Sequence, residues 1–456
     1  MMLPDLVLFL LFLTLYTVAP VPYPDGFAWD GYTPELYANG LAGARTLLVD
    51  PAGDILVLAR DNKAGQIMAL WEDASGVVQQ SVIVQANLDL SHGMAFYQGY
   101  LYASSDTTVY RWKYEAAQRT QVANMTTPEI IVHSMNANGH GGAPQGHRTR
   151  TLALKDTNLY ISVGSDQNVD ADSSRSRIRV VDIQTIPAGG YDFLTAKVFA
   201  DGLRNEVGLT FDFYGRLWGV ENGADNLARA DLGGDIHEEN PAEELNLFDG
   251  PDGTFYGYPF CWTEYNIPGG LGKGRGSQWA WPDFMNDGIH TDAWCANVSN
   301  NRPPVLALPG HSAPLGITFY DGDNCNATQS FDCSMKGDAF VAFHGSWDRN
   351  VPTGYKVIRI PFTQNTSNPM PTGDTQDVFG QTDAATKCAG KANLKCMRPV
   401  NAVFRKGVMF VSSDATGEVI RIRKGSGDTS GGLSQTSGGQ NHLAQMINLA
   451  SATETT

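Results

Sequence analysis

Two short stretches far apart in the chain share one pattern: Glu35–Leu41 (ELYANGL) and Lys197–Leu203 (KVFADGL). Each runs from alternating apolar and polar residues into an Asn/Asp-Gly pair, the mark of a short strand that ends in a turn. The second stretch follows two strands joined by a turn, Thr151–Val163, and a third strand, Ile178–Val181. The first has no such strands before it. An outer strand without a unit of its own must complete the last unit of the chain, so the units close into a ring.

The units themselves are legible as a repeat. Strand-turn-strand segments occur at Leu47–Arg60, Met94–Ser104, Thr151–Val163, Leu209–Val220 and Val400–Ser412. A sixth is split: Leu315–Phe319 is separated from Ala339–Phe343 by an insertion that carries Cys325 and Cys333. A third strand follows most of them, at Ile67–Leu70, Val109–Trp112, Ile178–Val181, Val357–Ile360 and Val419–Ile422. After Gly223 it reads only as a weak run around Leu227. The recurrence predicts an all-β fold, a six-bladed β-propeller of four-stranded antiparallel blades whose last blade is closed by an N-terminal strand. The competing architecture, a two-sheet sandwich, leaves the near copy at Glu35–Leu41 unexplained.

Residues 1–19 hold the apolar run Leu6–Ala19 before Pro20, which reads as a signal peptide. Asp5 stands where a positive residue is usual, so a membrane anchor is the alternative. The propeller domain is expected over 20–424, and 425–456 reads as a flexible, low-complexity tail rich in Gly and Ser. Between Gly223 and Leu315 the repeat is interrupted by Cys261, Trp262, Trp279, Trp281 and Cys295, expected as excursions over one face. Six cysteines allow 15 connectivities; proximity favours Cys261–Cys295, Cys325–Cys333 and Cys388–Cys396, and no Cys-x-x-Cys points to zinc. With sequons at Asn124, Asn297, Asn326 and Asn365, the chain reads as a secreted, extracellular glycoprotein. Its net charge of −16 disfavours nucleic acid and anionic membranes as partners, and stable membrane insertion is not expected.

In a propeller the starts of the inner strands and the ends of the next strands meet on one face. The starts supply Arg45, His92, His147, Arg204, Asn205, His311 and Arg398; the ends supply Arg60, Asn222, Gly223, His344, Gly345, Ser346, Trp347, Asp414 and, just beyond, Arg349. Several Arg around one channel, in a chain this acidic, suit a small polyanion, and the histidines beside them suit proton transfer near neutral pH. The histidines come from different blades without short spacing, which argues against zinc.

At these positions the chain resembles a known family. GLRNEVGL, GVENGADN, AEELNLF and YGYP resemble the pyrroloquinoline-quinone (PQQ)-dependent glucose/sorbosone dehydrogenases, and HSAPLGITFY, HGSWDR, PTGYKV and RPVNAV resemble its fungal pyranose dehydrogenases. The resemblance spans about residues 35 to 424. It implies a PQQ cofactor, a Ca2+ ion holding it, and oxidation of a sugar at its anomeric carbon. Electrons would leave to an external acceptor, a cytochrome or another redox protein.

By position, the resemblance makes His147 the catalytic base, in a His-x-x-x-Arg-Leu pattern that Thr151 displaces here. It makes Arg204 and Asn205 the pair that contacts cofactor and transition state. Gly223 and Ala224 fall where backbone carbonyls ligate calcium, and Ala224 replaces the Pro of the glucose-oxidising branch. Arg398 matches one cofactor Arg, while Val400 stands where a second would be. His344 and Trp347 fall at a cofactor Lys position, and Arg45 and Arg349 are further cofactor cations. His92 and Trp262 are the expected substrate contacts. These departures weaken glucose as the substrate more than they weaken PQQ. Two other classes stay open: a calcium-dependent propeller lactonase or esterase, which would want carboxylates and Asn around its metal, and a non-catalytic carbohydrate-binding propeller. The run Asp321–Asn324 reads as an ordinary turn rather than a cation site.

Overall fold

Several second strands are apolar without alternation: Ile55–Ala59 and Ala339–Phe343 are buried at every position. A strand with that pattern is covered on both faces, so each sheet must be packed between two others. The computed structural model, which describes residues 21–23, 26–60, 65–135, 146–172, 174–390 and 396–425, shows this arrangement. Six sheets stand around a central channel. Blade 1 is Ala44–Val49, Ile55–Ala59, Gln66–Glu72 and Val78–Gln85. Blade 2 runs from Leu90–Tyr97 to Glu129–His133, blade 3 from Leu152–Lys155 to Lys197–Asp201, and blade 4 from Glu206–Phe211 to Leu306–Leu308. Blade 5 runs from Pro314–Phe319 to Gln376–Gln381, and blade 6 comprises Pro399–Arg405, Val408–Ser413 and Glu418–Lys424.

The fourth strand of blade 6 is Tyr32–Ala38, antiparallel to Glu418–Lys424, so the ring closes as the near copy predicts. The seam carries a buried charge: Glu35, 3% exposed, accepts from Arg421 Nε at 2.8 Å and from Arg423 Nε at 2.9 Å. A buried carboxylate left without those partners would be costly, which fixes the register of this pairing. Apolar clusters fill all six blade-to-blade interfaces. Leu56, Ile67, Met94 and Leu101 join blades 1 and 2, and Phe340, Val357, Met409 and Ile420 join blades 5 and 6.

One sequence expectation needs correction. The third strand of blade 4 is Glu243–Phe248, and Leu227 lies in a satellite cluster beside a two-stranded ribbon, Ala228–Arg229 with Gly234–Asp235. The true strand escaped notice because it buries Glu243, Glu244 and Asn246, polar residues that break the apolar pattern. Blades 2, 3 and 5 also gain a fifth edge strand, Tyr191–Asp192, Thr254–Phe255 and Gly26–Ala28 respectively. All three cysteine pairs expected from proximity are bridged. The expected signal segment and all of the tail beyond Gly425 lie outside the described residues. Among the described residues no helix is long and apolar enough to cross a membrane.

Candidate active site

First strands run away from one face of the ring and second strands return to it. The return ends bring Asn222–Gly223, His344–Gly345 and Asp414 to the starts at Arg204–Asn205, Ala313 and Arg398. Together with His147, His311, Trp347 and Asp348, most of these residues line a cleft of about 380 Å³.

His147 is oriented by its own neighbours. Its Nδ1 lies 2.9 Å from the Ser165 carbonyl oxygen and 3.0 Å from Ser165 Oγ, and that hydroxyl donates onward to the Gln167 carbonyl at 2.7 Å. A carbonyl can only accept, so Nδ1 carries the proton and Nε2 keeps its lone pair. Burial and the nearby Arg204 guanidinium push the imidazole pKa down to about 3. Behind it sits Arg150, fully buried, which donates to the carbonyls of Asp106, Met135, His147 and Thr149 at 2.8–3.1 Å. The displaced Arg of the base motif is thus a brace for the backbone that carries His147.

Arg204 is 5% exposed and donates to Asp225 Oδ2 at 2.8 Å, Asn168 Oδ1 at 2.9 Å and the Asn168 and Asn222 carbonyls at 3.2 Å. Asn205 lines the cleft beside it, and its side-chain amide makes no hydrogen bond to the described residues. Arg398 donates to the carbonyls of His344 at 3.1 Å and Gly345 at 2.8 Å. Trp347, 49% exposed, stands at the mouth.

Asp225, His311 and Asp348 form the acidic part of the cleft, with one ligand atom from each lying within 4.8 Å of the others. His311 Nε2 faces the His237 carbonyl at 2.7 Å, so it donates there and turns Nδ1 toward Asp225 Oδ1, 3.7 Å away. Burial opposes its protonation, but the nearby carboxylates of Asp225 and Glu243 outweigh it and raise the pKa. His311 and Ala313 both hold positive φ, +61° and +54°. Left-handed backbone at two non-glycine residues is the kind of strain that collects at functional sites. Glu243 ties the two sides together: its carboxylate accepts from the Gly223 amide at 2.7 Å and the Ala313 amide at 2.9 Å, and burial pushes its pKa up to about 7.

Four expected residues stand elsewhere. Arg45 and His92 do not line the cleft; they lie behind its wall, where Arg45 Nη1 donates to Asp414 at 2.7 Å and Arg45 Nε donates to His92 Nδ1 at 3.2 Å. Asp414 also pairs with His344 Nε2 at 2.8 Å. Although burial opposes it, His344 and Arg45 hold the Asp414 carboxyl well below the usual carboxylate range. Trp262 is 4% exposed and outside the cleft lining, with its Nε1 donating to the Ala280 carbonyl at 3.0 Å and its ring stacked on Trp279. Arg349 lies 3.7–3.8 Å from Glu238 and Glu239, outside the lining. Ala224 is buried beside Gly223. Sequence reasoning left Asp225, Glu243 and Asp348 unassigned, although GADN, AEELNLF and SWDR, stretches already singled out, contain them.

The profile of the TrAA12-like family matches residues 27–425. The chain belongs to the TrAA12-like family. Within it, the pyrroloquinoline quinone-dependent pyranose dehydrogenase of Coprinopsis cinerea is 33% identical over 434 residues, 90% of this chain. The chain spans 56% of that relative's length. The PQQ domain of the Coprinopsis pyranose dehydrogenase, solved in its holo form, superposes with a TM-score of 0.76 at 31% identity, over 89% of this chain and 98% of that one. A pyrroloquinoline quinone-dependent sugar dehydrogenase of Hypocrea jecorina is 31% identical over 438 residues, covering 90% of this chain and 92% of its own. A calcium structure of the Trichoderma reesei carbohydrate-active enzyme of family AA12 gives a TM-score of 0.73 at 30% identity, over 89% of this chain and 98% of that one.

PQQ is a tricarboxylate with an ortho-quinone, and Arg398, Arg204 and the Asn205 amide offer donors to it. Asp225 and Asp348 would repel a carboxylate: two like charges about 4 Å apart cost about 4 kcal/mol near a protein surface. A divalent cation among Asp225, Asp348 and His311 turns that repulsion into attraction. The residues therefore fit the cofactor together with a cation, and fit it poorly alone.

Proposed function

We propose that this chain is a secreted quinoprotein that oxidises a sugar, a pyranose or ketoaldose, at its anomeric carbon with PQQ as cofactor, and passes the electrons to a separate acceptor. The observation that carries this reading is the fixed tautomer of His147 in a cleft shared with Arg204 and Asn205. When bound, PQQ would supply the two-electron oxidant.

The chain's residues divide the remaining work. His147 Nε2 takes the proton of the anomeric hydroxyl, and its depressed pKa keeps it neutral and ready to do so. Arg204, immobilised by Asp225 and Asn168, presents fixed positive charge where negative charge develops. Asn205 offers its amide alongside. Arg398, His344 and Trp347 would hold the cofactor from blades 5 and 6. Calcium would be held by the carboxylates of Asp225 and Asp348 with the carbonyls of Gly223 and Ala224.

The trio of Asp225, His311 and Asp348 also suits a metal-dependent hydrolase, so lactone or ester hydrolysis is the second reading. One experiment separates them. Purified apoprotein is given PQQ and calcium, and dye reduction is followed with a panel of aldoses and ketoaldoses. Sugar-dependent reduction requiring both additions supports oxidation. Chelator-sensitive lactone hydrolysis without PQQ, or tight binding of a flavin or nicotinamide in its place, overturns it.

A further inference from the structure

Among the described residues three large aromatic side chains are exposed: Trp347 at the cleft mouth, and Phe213 and Tyr214, 52% and 57% exposed. The last two sit in the turn between the first two strands of blade 4, on the face opposite the cleft. The two neighbouring rings present apolar faces to solvent at the turn tip. They wall a cavity of about 280 Å³ whose lining also includes Phe319, Phe362, Lys336 and Asn365.

Asn365 opens the sequon Asn365-Thr366-Ser367, is exposed, and holds a φ of +58°. Its loop does not hang free. Tyr214 Oη donates to the Thr366 carbonyl at 3.3 Å, and Arg216 Nη2 donates to the Pro369 carbonyl at 2.7 Å while its Nη1 reaches Asn368. Arg216 is itself held by Asp212 at 2.6 Å. The sequon of blade 5 is thus tied to the aromatic turn of blade 4. The other three sequon asparagines are exposed as well, but none of them lines this cavity.

We propose that Asn365 carries an N-linked glycan whose innermost sugar lies in this cavity, against the rings of Phe213 and Tyr214. A pyranose presents a face of C–H groups that suits the negative face of an aromatic ring, and its rim of hydroxyls and amide suits Lys336 and Gln364. The attachment is covalent, so the sugar arrives without the entropic cost of capturing a free ligand. It covers apolar surface and bridges the bases of two blades. The inference rests on the secretory reading above, and on no part of the cleft chemistry.

The test uses the full chain secreted from a eukaryotic host. Glycopeptide mass spectrometry reads occupancy at Asn365, and nitration of Tyr214 by tetranitromethane reads whether its ring is covered. Asn365 is expected to be occupied. Nitration should be slow in the glycosylated protein and in protein trimmed to the first sugar, and several-fold faster after complete deglycosylation or in Asn365→Gln. If Asn365→Gln is not secreted, enzymatic removal makes the same comparison. An unmodified Asn365 in secreted protein, or a Tyr214 that nitrates equally with and without the sugar, overturns the inference. Dye reduction on the same samples reports separately on the proposed oxidation.

Discussion

His147 Nδ1 sits 2.9 Å from the Ser165 carbonyl oxygen, and that single contact decides which ring nitrogen is left for chemistry. His147→Gln should lower turnover by about 10²–10⁴-fold, the usual worth of a general base. PQQ binding should change little, because Arg398 and Arg204 would hold the acid groups. Steady-state kinetics beside a cofactor titration checks both. Normal turnover in His147→Gln, with loss in His344→Gln, would assign the base elsewhere.

The pH profile follows from the same residue. Its pKa is pushed down to about 3, so the base is already neutral between pH 5 and 8. Turnover should show no rise across that range from His147 and should fall only on approach to its own titration. An activity limb near the ordinary histidine value would contradict this.

Stability should also depend on pH on the acid side. Burial lowers the pKa of His92, His147 and His344 in the folded chain. Each binds its proton more readily unfolded, so its contribution is complete above the unfolded value of about 6.5 and is lost as pH falls below it. The Tm should decline progressively on acidification, and His92→Gln should flatten that decline. A Tm indifferent to acid would count against these burials.

Arg398→Ala should weaken PQQ binding by about 10–150-fold, the range expected for one charge-assisted hydrogen bond of about 1.5–3 kcal/mol. Its existing bonds go to two carbonyls, so a free direction of the guanidinium remains for an incoming carboxylate. Absorbance titration of apoprotein measures it. Unchanged affinity would remove Arg398 from the cofactor site.

Asp348→Asn and Asp225→Asn should each raise the calcium concentration needed to restore chelated enzyme by about tenfold or more, since ligand charge sets affinity. Isothermal titration with calcium reads this without turnover. Wild-type affinity in both variants would leave the ion to the carbonyls of Gly223 and Ala224.

Much of the ring was readable because its signal is redundant. Six strand-turn-strand units repeat one apolar pattern, and the near copy at Glu35–Leu41 could be explained only by closure. Reading failed where burial was polar. Glu243–Phe248 hides a strand because Glu243 serves two backbone amides and Glu244 the side chains of Thr263 and Asn246, roles that apolar periodicity does not report. At the site, His147, Arg204, Asn205, Gly223, His344, Trp347 and Arg398 meet as the rim argument requires, because strand ends share a face. Arg45 and His92 also begin strands, yet they pair with each other and with Asp414 behind the lining. Position along a strand gave their height in the ring but not their partners. Trp262 stands outside the cleft lining, packed in a satellite cluster, because an aromatic in an excursion can equally serve a wall.

The seam between Tyr32–Ala38 and Glu418–Lys424 joins residues 386 apart at Glu35 and Arg421. During synthesis the first strand is made early, but its partner emerges only after nearly the whole ring, and until then its edge stays unpaired. Contacts of such long separation slow folding. A circular permutant that joins the end of blade 6 directly to residue 32 would turn that last encounter into a local hairpin. It should refold faster than the natural order while keeping the same ring.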